Sequence, residues 1–134
     1  MKSYIIDAVA FLAYLADNLP IKADEIFKKA EKKQNKILLP SIALGETLDT
    51  IYKGKEIFGK KIPLEKIELI FQVLQSKNIF ELVGLNLEAW RIFHGLEIPE
   101  LHNRMIVATF YCCEATGIIS NDPEIAEKVP VIWN

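Results

Sequence analysis

Five short runs of apolar, mostly β-branched or aromatic residues recur along the chain, with helix-forming segments between them. They are Tyr4-Ile5-Ile6, Ile37-Leu38-Leu39, Ile79-Phe80-Glu81-Leu82-Val83, Ile118-Ile119-Ser120 and Val131-Ile132-Trp133. Each is too short for a core helix, and most lack the period-two alternation of a half-buried strand, so they read as strands covered on both faces. Strands that alternate with helices demand a parallel sheet with right-handed crossovers and helices packed on both sides. The fold expected is therefore a three-layer α/β/α arrangement.

The helical segments carry recognisable signals. Ala8 to Ala16 follows Asp7, a good N-cap. A second helix runs from about Ala23 to Lys33, and Lys28, Lys29, Lys32 and Lys33 crowd its end, where cations complement the helix dipole. Ser41 is placed to cap a third helix reaching about Lys53, with Leu44, Leu48 and Ile51 as its core stripe. In that helix Glu46 lies about 160–200° from Leu44 and Leu48, so periodicity alone makes it a solvated glutamate. A fourth helix, about Leu64 to Gln75, follows Pro63 and presents Ile67, Ile70, Phe71 and Leu74. Asn86 caps a fifth. The sixth, about Arg104 to Thr116, is apolar nearly all round and so belongs in the core, with Asn103 as its cap and Gly117 ending it. A short last helix covers Pro123 to Lys128.

With 134 residues, 51% of them hydrophobic, the chain is expected to form one domain over residues 1–134 with a full core. Sixteen Lys+Arg face 18 Asp+Glu, for a net charge of −2. Any nucleic-acid role therefore needs a local patch. No apolar run approaches the roughly 18–20 residues of a membrane span, and Asp7 interrupts the first apolar stretch, so no signal peptide is expected there. A cytoplasmic location is expected. Cys112 and Cys113 are adjacent on a helix and point about 100° apart, so they read as reduced core residues and not as a bridge or metal site.

In a doubly wound parallel sheet, ligands bind beyond the carboxyl ends of the strands. Asp7 closes the first strand, Glu46 sits on the helix after the second, and Asp122 lies just past the fourth. If all strands point one way, these acids gather at one edge. Singly, Asp7 and Asp122 are explained as helix caps, Asp122 by the Asp-Pro-Glu start signal. Together they ask for more. Carboxylates ~4 Å apart repel by up to roughly 4 kcal/mol per pair at an effective dielectric of about 20, and a divalent cation between them removes that cost. Oxygen donors with water in the remaining positions suit Mg²⁺ or Mn²⁺.

At this point the sequence resembles a family. Tyr4-Ile5-Ile6-Asp7 with Ala10 to Leu15, then Leu39-Pro40-Ser41-Ile42-Ala43-Leu44-Gly45-Glu46, look like the first two motifs of PIN domains. Leu101-His102-Asn103-Arg104-Met105-Ile106-Val107-Ala108-Thr109 and Ile118-Ile119-Ser120-Asn121-Asp122-Pro123-Glu124-Ile125 look like the last two. The resemblance covers the whole chain in order and is nearest to the small toxins of VapBC-type toxin–antitoxin pairs. It implies a metal-dependent endoribonuclease with sheet order 3-2-1-4-5, an RNA substrate, an antitoxin partner and a homodimer. It assigns Asp7, Glu46 and Asp122 to an acidic cluster that holds Mg²⁺ or Mn²⁺. Ser120 matches a hydroxyl that orients a carboxylate or water, and Asn103 stands where the family has a further aspartate. Two departures follow. Ala8 replaces a Ser or Thr often found after the first acid. Asn103 keeps an oxygen ligand but brings no charge, which weakens metal binding.

Arg104 is a candidate contact for a substrate phosphate or partner for a cluster acid. His102 adjoins the cluster but reads as a structural or surface residue. Lys53, Lys55, Lys60 and Lys61 could grip an RNA backbone, although a solvated loop explains them too, and Ile57 and Phe58 beside them are candidates for a dimer or antitoxin contact. The second function reading is a PIN-like module that has lost catalysis and acts by binding protein or RNA. A nucleotide-binding doubly wound domain is weaker, because no glycine-rich turn follows the first strand.

Overall fold

The structure, a computed structural model, describes residues 1–134. Its order is β1 (Lys2–Ile6), α1 (Ala8–Leu15), α2 (Ile21–Glu31), β2 (Asn35–Pro40), α3 (Ser41–Tyr52), β3 (Glu56–Ile57), β4 (Lys60–Lys61), α4 (Lys66–Ser76), β5 (Phe80–Val83), α5 (Leu87–Gly95), α6 (Leu101–Cys112), β6 (Gly117–Ile119), α7 (Pro123–Ala126) and β7 (Val131–Ile132). All pairings in the central sheet are parallel, and its order is β5-β2-β1-β6-β7. Counting the strands of that sheet alone, this is the expected 3-2-1-4-5 order. The lysine-rich connection after α3 adds a small antiparallel hairpin, β3–β4, that was not expected.

The central strands β1, β2 and β6 are apolar along most of their length because both faces are covered. Ile5, Ile6, Ile37, Leu39, Ile118 and Ile119 are fully buried. Phe11, Tyr14, Phe27 and Phe80 stack and meet edge to face on one side, with centroids 4.8–6.3 Å apart; such pairs add ~1 kcal/mol each beyond their buried area. On the other side α6 buries Ile106, Val107, Ala108, Thr109 and Phe110, as its all-round apolar character requires. No helix is long and apolar enough to cross a membrane.

Several helix ends differ from expectation. α6 begins at Leu101 with Glu100 as its cap, so Asn103 lies inside the first turn and is not the cap. It ends at Cys112, and Gly117 opens β6 instead of terminating a helix. Ser41 is the first residue of α3, after Pro40, and its Oγ donates to the Val83 carbonyl 3.1 Å away, tying α3 to β5. The buried stripe of α3 is Ala43, Thr47 and Ile51, with Leu44 and Leu48 only half-buried. On α4, Phe71 is exposed while Ile70 is buried. The caps expected of Asp7, Asn86 and Asp122 are present.

Candidate active site at the carboxyl edge of the sheet

Because β1, β2 and β6 run in parallel, the residues that follow them share one edge. A pocket of about 220 Å³ opens there, lined by Asp7, Glu46, Glu100, His102, Asn103 and Asp122, with Ala8, Val9 and Ile106 completing its wall. A more apolar hollow of about 340 Å³, bounded by Phe11, Tyr14, Leu69 and Phe80, has only Asp17 and Lys66 as charged neighbours. Chemistry that needs converging acids belongs to the smaller pocket.

Asp7 is its buried anchor, 8% exposed. Its Oδ1 accepts from the Ala10 N–H at 2.9 Å and so caps α1, and its Oδ2 accepts from the Ser120 hydroxyl at 2.5 Å. Ser120 Oγ in turn accepts from the Asp122 N–H at 3.0 Å. One buried hydroxyl thereby joins the turn after β1 to the turn after β6. Burial raises the Asp7 carboxyl from 3.8 to about 6; the bonds from Ser120 and Ala10 pull it down, and the charges of Asp122 and Glu46 push it up. Desolvation dominates because the charged form loses water that two donors only partly replace.

Asp122 caps α7 through Oδ1, which accepts from the Glu124 N–H at 2.8 Å. Its Oδ2 accepts from Asn103 Nδ2 at 3.1 Å, and the same amide nitrogen donates to Glu124 Oε1 at 3.0 Å. The amide thus bridges two carboxylates and partly offsets their repulsion. On the other wall, His102 Nδ1 lies 3.1 Å from Glu46 Oε2 and 3.6 Å from Glu100 Oε1. Glu46 is shifted upward, chiefly by burial, with His102 opposing and Glu100 reinforcing the shift. Glu100 Oε2 accepts from the Asn103 N–H at 2.6 Å as the cap of α6.

The sequence-derived residues Asp7, Glu46, Asn103 and Asp122 all line this pocket, and Ser120 lies directly behind it. Arg104 does not. Its Nε donates to the Phe93 carbonyl at 2.8 Å and its Nη2 to the His94 carbonyl at 3.1 Å, with the guanidinium 4.6 Å from the Phe93 ring centroid. It binds α6 to the end of α5. His102, read from sequence as structural, faces Glu46 across the pocket. Glu100 and Glu124 were not singled out. Glu124 had a signal, as the second acid of the Asp-Pro-Glu start, but Glu100 is an uncommon capping residue and had none.

The donor set suits a hard divalent cation. It offers carboxylate and amide oxygens, each carboxylate oxygen using at most one bond and keeping a lone pair. No three of the chain's His, Cys, Asp and Glu side chains close on one point as a ready-made metal site. The acids therefore share a pocket without forming a closed cage.

No protein-family model and no curated protein match the chain. Solved structures do. A chain of the crystal structure of VapBC2 from Rickettsia felis, bound to a DNA fragment from their promoter, superposes with a TM-score of 0.70 at 15% identity. The match covers 99% of this chain and 100% of that one. At that identity the likeness speaks for the fold alone. The chain has a PIN-like, VapC-like fold.

Proposed function

We propose that the chain is a metal-dependent endoribonuclease whose site is the acidic pocket at the carboxyl edge. The observation that carries this reading is the burial of Asp7 in a pocket shared with Glu46 and Asp122, where each added charge raises its pKa. A fold retains such an arrangement at little cost only if a cation relieves it. Asp7, Glu46 and Asp122 would hold Mg²⁺ or Mn²⁺, with Asn103 Oδ1 as a neutral fourth oxygen. When bound, the ion polarises a phosphoryl oxygen and makes water a better nucleophile.

The chain's own residues have separable tasks. Ser120 fixes the Asp7 carboxylate and the loop carrying Asp122 in one orientation. Asp7, with its carboxyl raised to about 6, would have to release its proton to hold a cation, so metal uptake would strengthen as pH rises through that range. His102 holds Glu46 Oε2 against the pocket wall. Incubation of the chain with single-stranded RNA in Mg²⁺ or Mn²⁺ tests this directly. Cleavage lost in Asp7→Ala is expected; no cleavage with either metal, together with no gain of binding or activity in Asn103→Asp, would reject it.

A second reading rests on a different observation: Asn103 Nδ2 already bridges Asp122 and Glu124. An amide in that position ties up the carboxylates without a metal, as a module that binds but does not cleave would require. Metal binding in Asn103→Asp but not in the unmodified chain would favour this second reading.

By its likeness to VapBC2, we also propose an antitoxin-like protein partner, and from its exposed hairpin a homodimer. The exposed Phe58 on the β3–β4 hairpin is a candidate contact for the latter. Light scattering during size-exclusion chromatography that returns the mass of one chain across the micromolar range would reject the homodimer.

A further inference from the structure

The opposite edge of the same sheet has the reverse character. At the amino ends of β1, β2 and β5 lies a second hollow of about 520 Å³, large enough for a nucleotide. Lys33, Lys36 and Lys77 surround it with Ser3, Asn35 and Asn78, and no acid lines it. Lys36 is engaged by Glu81 at 2.8 Å, whereas Lys33 and Lys77 have no carboxylate partner. Asn35 also lines a neighbouring hollow that includes Lys2, Lys22 and Lys29 against a single acid, Glu25. Cations therefore outnumber acids on both sides of one asparagine.

One feature sets this basic region apart from ordinary solvated lysines, and a second fixes where two of its cations stand. Asn35 is 8% exposed, and its Oδ1 is sealed without any hydrogen-bond donor. It is the only buried side-chain polar atom in the chain left so. A buried acceptor without a donor is a standing cost, so a half-turn that brings Oδ1 to the hollow forfeits no hydrogen bond and leaves one unmatched buried atom in place of another. Secondly, Lys33 and Lys77 follow α2 and α4 with φ of 60° and 55°, in the left-handed region where glycine is the favoured residue. Each lysine therefore bears a backbone cost and directs a cation to the rim of the same hollow.

We propose that this amino-edge hollow is an RNA-binding site, separate from the acidic pocket. Phosphates lie against Lys33 and Lys77, and after a half-turn of its amide Asn35 Oδ1 accepts a hydrogen from a ribose 2′-hydroxyl or a base amino group. A single strand is favoured over an acidic protein segment because the hollow pairs cations with small polar side chains and a hydroxyl-seeking acceptor. Its walls hold only Met1, Ile79 and Phe80 as apolar residues to seat a peptide's side chains.

The test is fluorescence anisotropy with a short labelled single-stranded RNA, in the presence of a chelator. Without metal, its outcome is independent of whether the acidic pocket is catalytic. The double variant Lys33→Gly/Lys77→Gly is expected to be at least as stable as the parent, since glycine suits both positions. It should bind RNA at least tenfold more weakly. Its log affinity should fall less steeply with log salt, by about 0.7 for each of two lost phosphate contacts, or about 1.4 in all. The control Arg91→Ala/Lys128→Ala, which removes two exposed cations elsewhere on the surface, should bind as the parent does. Asn35→Ala should narrow the preference for RNA over DNA of the same sequence. Undiminished binding in the glycine variant, an equal loss in the control, or displacement of RNA by polyglutamate of matched charge would each overturn the proposal.

Discussion

The two edges of the central sheet are built from the same strands but solve opposite electrostatic problems. At the carboxyl edge, Asp7, Glu46, Glu100 and Asp122 crowd one pocket, and the protein offsets their repulsion with Ser120, His102 and the Asn103 amide. At the amino edge, lysines spread around Asn35, which is left without a donor. Every acid in the first region has a hydrogen bond or cation nearby, whereas the second region leaves a buried acceptor unmet. A parallel sheet makes this polarity natural, because the helix that follows a strand starts at one edge and the helix that leads into a strand ends at the other. Acids at the starts and lysines at the ends each complement a dipole. The contrast goes beyond dipoles where Asp7 is buried far more deeply than a cap requires and where Lys33 and Lys77 stand in glycine's conformation.

The largest expected effect falls on the acidic side. Asp122→Ala removes one of the three carboxylates and the α7 cap together. RNA cleavage in Mn²⁺ should fall at least ~100-fold, since even residues that merely orient metal ligands cost ~10–100-fold when lost. Stability should fall by only about 1 kcal/mol, the usual value of a cap. Activity that survives this change would remove Asp122 from the site.

Next comes the pH response of stability. The folded Asp7 carboxyl titrates at about 6 against 3.8 in the unfolded chain. The folded state thus holds the proton over a range in which the unfolded state has released it. Stability from this group is fully present below about pH 4, declines as pH rises through 6, and is lost above it. The difference amounts to on the order of 3 kcal/mol. Urea unfolding of the parent and of Asp7→Asn across pH 4–8 measures it: the variant should lack this component and overtake the parent near neutrality. A parent that grows more stable relative to Asp7→Asn as pH rises would contradict the assigned direction.

Smaller effects sharpen the contrast from both ends. On the basic edge, Asn35→Val replaces the donorless amide with a β-branched residue suited to β2, and thermal unfolding should show a gain of about 1 kcal/mol. On the acidic edge, Glu100→Ser keeps a good cap for α6 and removes a charge facing Glu46. A gain of a few tenths of a kcal/mol is expected there. A loss in either case would mean that the wild-type side chain makes a structural contribution not visible in its contacts.

Much of the fold was legible because buried parallel strands are nearly continuous apolar runs. Tyr4–Ile6, Ile37–Leu39 and Ile118–Ile119 could hardly be anything else. The hairpin Glu56–Lys61 was not legible, since two-residue strands leave no period and lysines are poor strand formers. Ser41 and Asn103 misled for one reason. Both are good capping residues, but Pro40 and Glu100 precede them and start the helices earlier, which freed both side chains for tertiary bonds. For the site, Asp7 and Asp122 could be located from their places after strands, whereas Glu46 looked solvated because helical periodicity ranks faces within one helix. Its half-burial arises from α6, which brings His102 and Glu100 against it. Asn35 gave no signal at all, because a missing donor is a property of packing.

The central claim, that the acidic pocket is a divalent-cation site, is tested most directly by calorimetric titration of the chain with Mn²⁺ near pH 7. The account predicts saturable binding at the stoichiometry of a defined site, abolished by Asp7→Ala and at least tenfold tighter in Asn103→Asp. Absence of binding in both the parent and Asn103→Asp, or binding that survives Asp7→Ala unchanged, would contradict it.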